Sequence, residues 1–163
     1  LTLALNPLPL AVGESINFES DAGAGAGAGQ TTGVILLGDG AVVPVSGLIR
    51  TIRTTAAVTG TENAWASGPL TFSEDLPAGE YQVVGARCEA DNPGAFRLIF
   101  VAGGPRPGSL STLGDEGSEV PGARLGMWGL WGQFDTNQPP SLEILSLAGA
   151  GSAQVLYLDI MRV

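Results

Sequence analysis

Asp115, Glu116 and Glu119 fall close together in a glycine-rich stretch and could offer oxygen ligands to calcium. They lack the alternate spacing of a dedicated calcium loop, so a solvated acidic loop is the plainer reading. Glu74 and Asp75 resemble a glycosidase pair only in being two carboxylates. Neighbours on a strand point to opposite faces and cannot flank one bond together. Cys88 is the only cysteine; it lies on the apolar face of an alternating segment, which predicts a buried, inert thiol. None of the 163 residues is lysine or histidine. That excludes an imidazole general base, a Schiff-base lysine, the Gly-Lys-Ser/Thr phosphate loop and a His/Cys zinc site. No catalytic, cofactor-binding or metal-ligating residue is assigned, and the chain is not expected to be an enzyme or to carry a cofactor.

Aromatic side chains are the remaining candidates for function. Trp128, Trp131 and Phe134 cluster in a segment where Gly126, Gly129 and Gly132 recur every third residue. Neither a regular helix nor a two-residue strand period explains that spacing, whereas a bent strand presenting its aromatics to different neighbours does. Such rings serve as core, as subunit contacts, or as platforms for sugar rings. With them as candidate subunit or ligand contacts stand Leu3 and Leu5 of the apolar opening, and Arg106 of the Pro105-Arg106-Pro107-Gly108 turn.

These residues must be held by short strands, because 25 glycines and 11 prolines divide the chain into pieces of strand-and-turn length. Strands are predicted at 14–20, 33–37, 48–58, 69–73, 80–90, 95–102, 123–134, 142–147 and 153–162. The alternation is clearest at 80–90, with Val84, Ala86, Cys88 and Ala90 on one face and Tyr81, Arg87 and Glu89 on the other. Phe96, Leu98 and Phe100 oppose Arg97, and Leu156, Leu158 and Ile160 oppose Tyr157, Asp159 and Met161. Leu76-Pro77-Ala78-Gly79 and Asp91-Asn92-Pro93-Gly94 place proline and glycine where tight turns use them. The Ala-Gly alternation within 22–30 admits a silk-like extended strand or a flexible loop, and the loop is expected because a small domain has no stack of identical neighbours to hold a silk sheet; Gly27, Gly29 and Gly33 also have the wrong spacing for a dinucleotide fingerprint. Residues 103–122 are read as a second long loop. No helical period separates the strands, so the expectation is one all-β domain over 1–163, an antiparallel β-sandwich, jelly-roll-like, with an apolar N-terminal segment at 1–12.

Composition bounds the partners. Sixteen acids against seven arginines give a net charge of −9, and the arginines are scattered singly, so direct nucleic-acid binding is not expected unless they converge in space. Only 14% of residues are charged against a usual ~25%, which leaves a neutral surface suited to broad contact with neighbours. No apolar run reaches the ~18 residues of a membrane helix. The opening, broken by Asn6, Pro7 and Pro9 and without basic residues, reads as neither signal peptide nor anchor.

In its pattern the whole chain resembles the single jelly-roll coat proteins of icosahedral viruses. The resemblance rests on about eight strands, the Leu76-Pro77-Ala78-Gly79 turn leading into Tyr81-Gln-Val-Val-Gly-Ala-Arg87, the long stretch at 103–122 and the strand Val155-Leu-Tyr-Leu-Asp-Ile160. It implies a structural virion protein, capsid or capsid-decorating, that self-assembles with copies of itself and with other virion proteins. The basic arm that many such coats use to package nucleic acid is missing. Lectins and carbohydrate-binding modules share the pattern, so the alternative is a carbohydrate- or cell-surface-binding β-sandwich acting outside the cell or at its surface.

Overall fold

The computed structural model describes residues 11, 14, 47–92, 94–101, 106–115, 130–147 and 153–163. Outside them lie the strands predicted at 14–20 and 33–37, the Ala-Gly loop, almost all of the N-terminal segment and residues 123–129. The described residues contain nine strands and no helix: β1 (Arg50–Ala56), β2 (Trp65–Pro69), β3 (Thr71–Phe72), β4 (Glu80–Ala90), β5 (Gly94–Phe100), β6 (Arg106–Asp115), β7 (Gly132–Asp135), β8 (Ser141–Ser146) and β9 (Gln154–Arg162).

They form one curled sheet in the order β2-β8-β5-β6-β4-β9-β1-β3, with β7 also paired to β4. All pairings are antiparallel except β4 with β6, which run parallel through Cys88↔Leu113 to Ala90↔Asp115. That short junction is the corner at which the sheet folds over. On one side stands the leaf β3-β1-β9-β4-β7, on the other β2-β8-β5-β6. The opposite side is closed by the chain itself: β2 is the edge of one leaf and β3 the edge of the other, and only Leu70 separates them. Leu70 is buried and joins the core. The result is a β-sandwich whose two leaves surround a single apolar cluster.

Binary patterning explains the inward faces. Ile52 of β1, Leu156, Leu158 and Ile160 of β9, Phe96, Leu98 and Phe100 of β5, and Leu142 and Ile144 of β8 recur at every second residue and belong to the same buried cluster. Aromatic rings stack within it and against it. Phe134 stacks on Phe72 and Tyr81 with centroids 6.0 and 5.7 Å apart, and Trp131 stacks on Phe96 at 6.1 Å.

Three sequence expectations need correction. Tyr81 is not opposite Ala86; both face the core, because the register of β4 against β9 shifts between Val83 and Gly85. One extra residue reverses the alternation, so Tyr81 and Val83 precede the bulge on the same face that Ala86, Cys88 and Ala90 occupy after it. Val84, expected in the core, is fully buried at the shift itself. The second correction is the stretch read as a loop at 103–122, which contains β6. Its Pro107, Gly108 and Gly114 look like punctuation, but β5 provides a ladder along it from Gly94↔Leu113 to Phe100↔Arg106, and tertiary pairing overrides weak intrinsic preference. At Pro107 only β5 pairs with β6, the setting in which proline is tolerated in a sheet. Last, the strand expected at 69–73 contains β3, but it begins on the final residue of β2, and Leu70 between them crosses from one leaf to the other.

Turn chemistry fares better. Gly79, just before β4, has φ +146°, a conformation L side chains rarely adopt, and a Cβ there would meet the Arg162 guanidinium. Arg162 Nη2 donates to the Ala78 carbonyl at 2.9 Å, and Thr136 and Gly79 exchange two hydrogen bonds, so three segments meet at this end of the sandwich.

Candidate functional site

The two described members of the aromatic cluster belong to the core. Trp131 and Phe134 are buried against Phe96 and against Phe72 and Tyr81, which removes them from the outer surface as subunit or ligand contacts. The indole Nε1 of Trp131 is buried with no acceptor among the described residues. Arg106 opens β6, where its backbone pairs with Phe100. Leu3, Leu5 and Trp128 lie outside the described residues, as do Glu116 and Glu119.

Cys88 has no exposed surface, and burial, assisted by the neighbouring Glu89 carboxylate, pushes its thiol pKa well above the ordinary 9.0. The native thiol therefore stays protonated. Iodoacetamide at pH 8 is expected to label Cys88 only after denaturation; rapid stoichiometric labelling of the native chain would refute its burial. The sign of the linkage follows: the unfolded thiol ionises near 9 and the native one does not, so Cys88 favours folding below that pH and opposes it progressively as pH rises above. Among the described residues no group of three or more His, Cys, Asp or Glu is placed to hold a metal ion. Glu74 is ion-paired with Arg50.

The outer faces of the two leaves differ. On the β4-β9-β1 side, register puts Arg87, Tyr157 and Arg53 in one row, so two of the scattered arginines do flank a tyrosine, with Arg87 ion-paired to Glu89. Beside them Asp159 is fully buried on this outward side and accepts a hydrogen bond from Thr51 Oγ1 at 2.6 Å.

The other leaf carries the most developed side-chain arrangement. Register aligns three outward rows across β2, β8 and β5: Trp65 with Leu145 and Ala95, Ser67 with Glu143 and Arg97, Pro69 with Ser141 and Ile99. Arg97 Nε donates to Glu143 Oε2 at 2.6 Å. The same guanidinium reaches diagonally across the sheet to lie 4.1 Å from the Trp65 ring centroid, a cation–π contact. Trp65 nevertheless remains 37% exposed. Sequence reasoning placed Arg97 outward on its strand but passed over Trp65 and Glu143. The available signal was a single tryptophan between small residues in Asn63-Ala-Trp-Ala-Ser67; what brings Glu143 and Arg97 to it is register, which sequence alone does not display.

Comparison of the chain with protein-family profiles, characterised proteins and solved structures finds no match.

Proposed function

We propose that this chain is a structural subunit that self-assembles into a shell, as a jelly-roll-like capsid or capsid-decorating protein of a virion, in contact with copies of itself and with other virion proteins. The observation that carries this reading is a group of exposed apolar side chains at one end of the sandwich. Leu48 is 90% exposed and Val163 66%. They flank the β1–β9 ladder at the end where Arg50 pairs with Ile160, with Gly47 against the Met161 sulfur and the Val163 N–H donating to Glu80. Val101, 42% exposed, follows β5 at the corresponding end of the other leaf. Burying such groups against a neighbouring copy gains what water denies them.

Light scattering on the purified chain tests this. Particles much larger than the 16.5 kDa chain are expected, retained or strengthened at about 0.5 M salt, because screening relieves repulsion between subunits of net charge −9. Leu48→Asp together with Val163→Asp is expected to shift the population to monomer. A wild-type chain that stays monomeric at every concentration and salt level ends the proposal.

A further inference from the structure

We propose that the outward rows holding Trp65, Arg97 and Glu143 form a binding site for a neutral saccharide, independent of the shell reading. The guanidinium of Arg97 lies over the Trp65 ring, and the residue as a whole keeps 37% of its surface exposed, an apolar side chain held in place by its cation. The C–H faces of a sugar ring pack on such a surface. Arg97 spends its Nε–H on Glu143 Oε2, and among the described residues its two terminal nitrogens and Glu143 Oε1 have no further hydrogen-bond partner. Donors and an acceptor therefore stand side by side, as adjacent sugar hydroxyls require, and the Ser67 side chain is in the same row.

Charge selects among the possible occupants. Arg97 and Glu143 cancel, and the chain around them carries −9, so a phosphate or polyanion finds no net attraction. An apolar peptide would bury the ion pair without satisfying its free groups. Strand addition along β2 is disfavoured by its five residues and the Gly68-Pro69 that end it. A hydroxyl-bearing ring with apolar faces meets both halves of the site. The cation–π contact, the ion pair and the ladder fix these side chains before a ligand arrives, which reduces the entropic cost of binding.

An array displaying neutral and sialylated oligosaccharides, probed with the full chain, tests the site. Retention of neutral glycans is expected. For a retained glycan, titration calorimetry is expected to show roughly tenfold or greater weakening in Trp65→Ala, as loss of an aromatic stacking partner implies, and a several-fold weakening in Glu143→Gln, which keeps the shape of the pair. Light scattering of both variants is expected to match wild type, separating this site from assembly. Should Trp65→Ala fail to fold, Glu143→Gln decides. No neutral glycan retained by the wild-type chain, a preference for sialylated ones, unchanged affinity in Glu143→Gln, or loss of glycan only together with loss of particles would each overturn the proposal.

Discussion

Phe100→Ala is expected to lower folding stability by about 3–5 kcal/mol, read from the shift in denaturant midpoint. The ring has no solvent exposure and belongs to the shared cluster, so truncation removes its burial and leaves a cavity between the two leaves. It also has a specific neighbour. A Cβ added at Gly132 would come within 2.5 Å of the Phe100 ring, so Gly132→Ala alone is expected to cost about 1–3 kcal/mol through overpacking. The two substitutions must then couple: with the ring gone, the alanine methyl enters vacated space and its cost falls. Strictly additive losses in a double-mutant cycle would show that Phe100 does not bear on Gly132.

Gln154→Leu is expected to cost about 2–5 kcal/mol although it inserts an apolar residue into an apolar region. Gln154 is buried at the first position of β9, and its amide acts as a strand partner for residue 58, beyond the end of β1. Its Oε1 accepts from the Val58 N–H at 2.8 Å and its Nε2 donates to the Val58 carbonyl at 3.0 Å. Leucine fills much of the volume but leaves both backbone groups buried without partners. Chemical denaturation again reads the result. A midpoint within error of wild type would mean that water reaches Val58 once the amide is gone.

Gln154 also shows what could be read from the sequence and what could not. Its strand was legible, since Leu156, Leu158 and Ile160 alternate without interruption, and the same period marked Phe96, Leu98 and Phe100 and the limits of β4. Its role was not, because nothing local distinguishes a buried glutamine that caps a distant backbone from one facing water. The bulge at Val84 was hidden for a related reason: a run of Val-Val-Gly-Ala is apolar in either phase, so the pattern could not show where the phase changes. β6 was missed because its residues are strand-like only in the company of β5. The candidate site failed most fully. Trp65, Arg97 and Glu143 are far apart in the chain, each ordinary where it stands, and the aromatic cluster that drew attention went partly to the core.

The pairing of β1 with β9 governs how the molecule can come into being. Arg50 to Ala56 find their full-length ladder in residues 154–160, 98 to 110 positions later, β3 reaching only Thr54 and Thr55, and β4 takes its full-length neighbour from the same segment. While the chain is being synthesised, β1 and β4 emerge with the edges that β9 will fill still open, since β3, β6 and β7 pair elsewhere along them. The leaf can be completed only after residue 160 has left the ribosome, which places folding among the slow, non-local kind. Until then the exposed edges must be kept from one another, so yield in a cell will depend on chaperone capacity and on the rate of translation as much as on the stability of the finished fold.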